Sequence, residues 1–168
     1  MNFLDLVSQR YSVRGYENKP ISSSDLEYIL ESVRLSPSAC NRQPWHFYVC
    51  KSEESLNKVR QCYDRDWFGT APLVIVCAIR HDEEWVRPND GHVHGIVDVS
   101  IAAEHICLSA TERGLGTCWV CNFNAQLCHD LLNLPENEEA AVMIPVGYPT
   151  TTATPKKRKE MNQIVTEI

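Results

Sequence analysis

Three short stretches carry side chains whose types and spacing could do chemistry. The first is Arg10-Tyr11-Ser12-Val13-Arg14. In an extended backbone, side chains at i, i+2 and i+4 share a face. Arg10, Ser12 and Arg14 would then converge, with Tyr11 and Val13 turned away. Two guanidinium groups and a hydroxyl suit a phosphate, because an Arg fork can bond an oxyanion through two donors. The same residues could also be two surface charges flanking a turn. The second stretch is Cys118-Trp119-Val120-Cys121, a CxxC. A structural zinc site needs a second ligand pair, and the only nearby one, Cys128-His129, is adjacent rather than spaced. A dithiol redox pair usually sits at a helix N-terminus, where the thiolate is favoured. This pair falls in a predicted strand, where residues three apart face opposite ways. The third is His92-x-His94 with Asp98, read as a solvated loop rather than a metal site. His105 is read as a packed helical histidine, and Trp67 and Trp85 as core or pocket-lining.

The chain has 168 residues and a formal net charge of −6. One domain spanning 1–168 is expected, with an extended tail from about 150. A chain of this length buries roughly 70% of its unfolded surface and needs no disulfide or metal to fold. The acidic balance argues against nucleic acid as a partner. Positive charge is concentrated in Lys156-Lys157-Arg158-Lys159, four of the sixteen Lys and Arg residues. Such a run either serves an anion or forms a solvated tail. The N-terminus lacks a signal-peptide pattern, and no apolar run is long enough to span a membrane. A soluble cytoplasmic protein is therefore expected, with its eight cysteines as free thiols. Cys40, Cys50, Cys77, Cys107, Cys118 and Cys121 are read as small hydrophobes in or beside apolar stretches.

The elements that must position these groups follow from periodicity and capping. Asn2 to Gln9 reads as a short helix with Phe3, Leu6 and Val7 inward. Ser24 with Glu27 reads as a capping box opening a helix to about Leu35, with Leu26, Ile29, Leu30 and Val33 inward. Ser36-Pro37-Ser38-Ala39-Cys40-Asn41-Arg42-Gln43-Pro44-Trp45 reads as a fixed loop, since prolines and small polar residues restrict it. Strands are expected at Trp45–Cys50, Leu73–Ile79, Gly116–Cys121 and Ala140–Gly147. Further helices are expected at Ser52–Cys62, with Leu56 and Val59 inward, and from Asn124 to Asn133. Residues 80–94 read as a loop. Gly95 to Arg113 reads as a long central helix, buried around most of its circumference by Ile96, Val99, Ala102, Ala103, Ile106, Cys107 and Ala110. Gly114 should stop it. Strands and helices do not alternate in strict βαβ order, so the α+β class fits best. The Gly114-x-Gly116 pair follows a helix and precedes a strand. That is the reverse of a dinucleotide-binding turn.

The Arg-x-Ser-x-Arg stretch and the Ser36–Trp45 loop together resemble the nitroreductase family of flavin enzymes. The closing Pro145-x-Gly147-Tyr148-Pro149 and the basic tail extend the resemblance over nearly the whole chain. It implies a central, mostly antiparallel sheet flanked by helices, a long buried central helix and an intertwined homodimer with FMN at the subunit interface. Arg10, Ser12 and Arg14, with Lys156 and Arg158 from the tail, would hold the FMN phosphate, with Lys157 as a further candidate beside them. Tyr11 and Ala39 fall within the two cofactor-contacting stretches. Pro37, Ser38 and Asn41 would reach the flavin of the partner chain. Trp119, Val120, Cys121 and Asn122 would run beside the ring. Relatives often carry Glu-Gly where this chain has Cys121-Asn122. No side chain is expected to be catalytic, because the flavin carries the chemistry. NADH or NADPH would be the transient reductant, in a ping-pong cycle, and a nitroaromatic, quinone or activated alkene the acceptor. A flavin-binding sensor or carrier without turnover is the alternative from another class, and a zinc module on Cys118 and Cys121 a third.

Overall fold

The computed structural model describes residues 2–168. Four strands form one antiparallel sheet in the order β1-β2-β4-β3. They are β1 (Trp45–Cys50), β2 (Leu73–Arg80), β3 (Gly116–Thr117) and β4 (Glu138–Gly147). The helices are α1 (Phe3–Gln9), α2 (Ser23–Arg34), α3 (Glu53–Gln61), α4 (Asp66–Gly69), α5 (Gly95–Glu112) and α6 (Ala125–Leu132). The expected α+β architecture, antiparallel sheet and long central helix are all present.

The uninterrupted apolar run of β2 has a simple cause. Both faces of the sheet are covered, so neither set of alternating side chains meets water. Leu73, Ile75, Cys77 and Ile79 join a core with Ile29 and Val33 of α2 and with Val99, Ala102, Ala103, Ile106, Cys107 and Ala110 of α5. Val74 and Val76 point to the other face, where they meet Leu56 and Val59 of α3, Phe68 of α4 and Cys128 of α6. A bulge between Cys77 and Ala78 shifts the pairing with β4 by one residue.

Several local expectations differ from the structure. The α2 cap is Ser22, whose side chain accepts the Asp25 N–H, rather than Ser24. Phe3 is exposed and α1 buries no residue; helical period defines an apolar face but supplies nothing to cover it. Ile96 at the start of α5 is likewise exposed, although Gly95, Asp98 and Val99 of the same turn are buried; it stands with Val97 on the side of the helix turned from the sheet. The strand predicted over Gly116–Cys121 pairs only at Gly116–Thr117, and Val120 returns as an isolated bridge to Met143. Cys118 and Trp119 leave the ladder between them, and the Trp119 indole is bonded to α5. Cys40 and Cys121 are exposed rather than packed; both lie on irregular backbone outside the layers. Residues 80–94 hold a buried carboxylate, Glu84, which accepts the Gly95 N–H at 2.8 Å and so caps α5. An acidic group there also complements the helix dipole.

Candidate functional site

The two ends of the chain meet over α1 and β3. Ser12 bridges Thr117 in parallel, and the Val13 N–H donates to the Thr117 carbonyl at 2.9 Å. Val13 is fully buried, whereas Ser12 and Arg14 are exposed and Arg10 is half-buried. The alternation expected from the sequence therefore holds at Ser12, Val13 and Arg14, whereas Tyr11, half-buried against the Val13 core, also borders the cavity described next. The tail is stitched alongside. Glu17 N–H donates to the Tyr148 carbonyl at 2.9 Å, and Thr150 N–H donates to the Gly15 carbonyl at 3.0 Å. Tyr11 Oη donates to the Thr151 carbonyl.

This stitching builds two adjoining cavities. The smaller, about 220 Å³, is lined by Arg10, Tyr11, Ser12, Arg14, Lys156 and Arg158 together with Thr154 and Pro155. The larger, about 770 Å³, shares Arg10, Lys156 and Arg158 and adds Glu104 and the end of α1. Arg10, Tyr11, Ser12, Arg14, Lys156 and Arg158 are thus brought together across some 145 residues of sequence. Lys157 lines neither cavity.

The electrostatics are one-sided. Arg10 lies 3.5 Å from Glu104. Among the described residues, Arg14, Lys156 and Arg158 have no carboxylate partner within ion-pair distance. The Lys156 ammonium donates to the Val7 and Ser8 carbonyls, which lie in the last turn of α1 and lack intrahelical partners. One of its three donors is left for another acceptor. Partial burial, then repulsion from Arg10 and Arg158, lowers the Lys156 pKa. Four cations facing one carboxylate make a site that an anion of high charge density would balance. The residues present therefore fit a phosphate group of about two negative charges.

The other predicted residues lie outside these cavities. Pro37, Ser38, Ala39 and Asn41 line neither. Their loop is held in an unusual backbone conformation, with positive φ at Cys40 (50°), Asn41 (53°) and Gln43 (53°). Non-glycine residues in that region are uncommon. Three bonds fix it. Asp98 of α5 accepts the Ala39 N–H at 2.9 Å, Ser38 Oγ accepts the Gln43 N–H at 2.9 Å, and Gln43 Nε2 donates to the Asn41 carbonyl at 3.2 Å. The second oxygen of Asp98 is buried and unpartnered. Trp119 and Val120 follow β3, with Trp119 half-buried and Val120 buried; Cys121 and Asn122 are exposed.

Cys118 is buried and Cys121 exposed, so the CxxC does not present two thiols to one point. Burial pushes the Cys118 thiol above the ordinary range, and partial desolvation of its sulfur raises Cys121 despite the residue's exposure. Among the described residues, no group of three or more His, Cys, Asp or Glu side chains is placed to hold a metal. His105 Nδ1 lies 3.0 Å from the Ser32 carbonyl, joining α5 to α2. Glu104 escaped the sequence reading, since neither spacing nor composition marks a single acidic residue on a helix; only the fold puts it against Arg10. Asp98, read with His92 and His94 as part of a solvated loop, is instead buried in α5, where packing on the sheet turns it toward Ala39.

Fold and site together define an α+β protein with a cation-lined cavity formed by its two termini. The nitroreductase family model matches residues 7–62 and 55–148, and the chain belongs to that family. A protein of Archaeoglobus fulgidus, provisionally named an NADH dehydrogenase/NAD(P)H nitroreductase, is 33% identical over 155 residues, covering 87% of this chain and 84% of its own. A crystallised nitroreductase family protein of Clostridium difficile superposes with a TM-score of 0.93 at 33% identity, over 99% of this chain and 98% of that one. An FMN-dependent nitroreductase from the same species gives 0.77 at 26% identity, over 96% and 94%.

Proposed function

We propose that this protein is a homodimeric FMN-dependent oxidoreductase that uses NADH or NADPH to reduce a small oxidised acceptor such as a nitroaromatic or a quinone. The observation that carries the reading is the cavity lined by Arg10, Ser12, Arg14, Lys156 and Arg158, with its surplus of positive charge. Family membership and the FMN-dependent relative support flavin mononucleotide as the anion's source.

In this reading Arg10, Arg14, Lys156 and Arg158 bind the phosphate, and Ser12 donates its hydroxyl. Charge-assisted bonds of this kind are about twice as strong as neutral ones. Tyr11 fixes the tail, through Thr151, over the phosphate. Trp119 and Val120, with the backbone of Cys121 and Asn122, border the ring. Held by these residues, FMN would supply the redox chemistry of a ping-pong cycle between a nicotinamide donor and the acceptor. The protein positions both partners and excludes water.

The dimer reading draws support from exposed apolar side chains at two places. Ile96 and Val97 open α5, and Met161, Ile164, Val165 and Ile168 line the tail. Their exposure is unusual for large apolar groups gathered in patches. A partner would cover them, and Pro37, Ser38, Ala39 and Asn41 would meet the flavin of that partner. The thiol-rich composition supports a cytoplasmic setting.

Purification with added FMN, followed by anaerobic titration with NADH and NADPH, tests the reading. A yellow protein bleached by a nicotinamide and re-oxidised by an acceptor is expected. Failure to take up FMN would overturn it. Uptake without bleaching would favour a non-turnover flavin sensor or carrier.

A further inference from the structure

Glu104 has the wrong sign for a phosphate site. Among the described residues it is the only carboxylate on the larger cavity, beside Arg10, Lys156 and Arg158. A bare negative charge there would repel an incoming dianion. Its geometry gives it a different task. Oε1 lies 3.5 Å from Nε of Arg10, and Oε2 accepts the Trp119 indole N–H at 3.1 Å. One carboxylate thus divides its oxygens between the N-terminal stretch that bridges β3 and the segment that follows β3. Both are braced against α5, the most buried helix of the fold.

The choice of Nε matters. A guanidinium has five N–H donors, and the two terminal nitrogens form the outer fork used for oxyanions. The approach through Nε, at 3.5 Å, is a charge contact rather than a hydrogen bond; it draws the side chain toward α5, and among the described residues no hydrogen bond engages the outer fork. Trp119 has a single polar atom, and an indole N–H that leaves water needs an acceptor. Glu104 supplies it, fixing the plane of the ring.

We propose that Glu104 is a positioning residue of the cofactor site, holding Arg10 with its outer fork free for the phosphate and Trp119 in the plane that borders the flavin ring. The proposal rests on the FMN reading above and deepens it. Its sign is diagnostic. Electrostatics alone predicts that removing Glu104 tightens FMN binding; positioning predicts that it weakens it.

Quenching of flavin fluorescence gives dissociation constants for FMN and for riboflavin, which lacks the phosphate. They are compared in wild type, Glu104→Gln, Glu104→Ala, Arg10→Ala and the double variant Arg10→Ala/Glu104→Ala. Glu104→Gln keeps an acceptor for Trp119, so it should weaken FMN about tenfold and leave riboflavin unchanged. Glu104→Ala should weaken both. In the Arg10→Ala background the loss on removing Glu104 should shrink to its riboflavin value. Visible circular dichroism of the bound flavin should change in Glu104→Ala but not in Glu104→Gln. The Gln variant preserves volume and polarity, so it serves if the Ala variant does not fold. Equal or tighter FMN binding in Glu104→Gln would overturn the proposal, as would equal weakening of FMN and riboflavin in that variant. A wild-type protein that binds neither ligand would overturn the flavin reading itself, and this one with it.

Discussion

The Asp98 carboxylate accepts the Ala39 backbone N–H at 2.9 Å, across 59 residues of sequence. This bond ties the first turn of the central helix to a loop in which Cys40, Asn41 and Gln43 all adopt positive φ. Residues in sparsely populated backbone regions cost about 1–3 kcal/mol each and persist where their surroundings over-determine them. Asp98→Ala removes the anchor and leaves a backbone donor unpaired. It should lower stability by about 1–3 kcal/mol and speed amide exchange selectively across residues 38–43. Chemical denaturation and hydrogen exchange measure the two effects. Unchanged exchange in the loop would show that the serine and glutamine bonds suffice.

Arg10 is the one cation shared by both cavities that also contacts a carboxylate. Arg10→Ala should stay folded yet weaken FMN by about ten- to a hundredfold, the range for a lost charged hydrogen bond or two. The loss should be much smaller for riboflavin. Wild-type FMN affinity in this variant would remove Arg10 from the phosphate site.

Gly116 sits where the Arg10–Arg14 segment crosses β3. A methyl group there would stand 2.9 Å from Cβ of the fully buried Val13, with Val13 Cγ2 nearer still. Gly116→Ala must push that segment outward. Overpacking of this kind costs about 1–3 kcal/mol. The variant should melt at lower temperature and bind FMN more weakly, because Ser12 and Arg14 move with Val13. A wild-type melting temperature would mean that the segment yields without loss.

Glu138 is buried on β4 and bonded to Tyr48 Oη at 2.5 Å, His46 Nδ1 at 2.8 Å and Arg80 Nε at 3.0 Å. Burial would raise its pKa, but these three partners outweigh it and hold the carboxyl below the usual range. A depressed folded-state pKa contributes stability above the unfolded value, about 4.3. That contribution is lost as pH falls through the folded value. Glu138→Gln should therefore be less stable than wild type at neutral pH, with the gap closing below about pH 4. Denaturant titrations across that range measure it; a gap independent of pH would assign the effect to packing.

His81 gives the opposite limb. Its Nδ1 lies 2.5 Å from Glu84 and its Nε2 3.1 Å from Glu139. The Glu84 bond, more than the opposing burial, raises its pKa. Its contribution is complete below about pH 6.5, the unfolded value, and fades as pH rises through the folded one. His81→Gln should flatten stability on the alkaline side, and because Glu84 caps α5, the change should appear first in exchange of the Gly95 amide.

Much of the scaffold was legible in the chain because it rests on local rules. The bounds of β1 came directly from its apolar run, and Ser52 and Asn124 cap α3 and α6 as their side chains dictate. The continuous run of β2 required two covered faces, which α2 and α5 on one side and α3 and α6 on the other supply. Alternation also placed Arg10, Ser12 and Arg14 on one face, because side-chain direction in extended backbone has a period of two. Where the local rule needed a neighbour to act, it failed. Phe3 and Ile96 have apolar neighbours at helical spacing, yet both remain exposed.

The cation-lined cavity divides along the same line. Residue types in Arg10-x-Ser12-x-Arg14 and in the basic tail determined the chemistry on offer, since donors and charge belong to single side chains. Only the tertiary structure decided that Lys156 and Arg158 reach the same cavity as Arg14 while Lys157 does not. It alone brought Glu104 between Arg10 and Trp119, and Asp98 beneath Ala39. Contacts across dozens of residues depend on how helices pack on a sheet, and no spacing in the sequence encodes them.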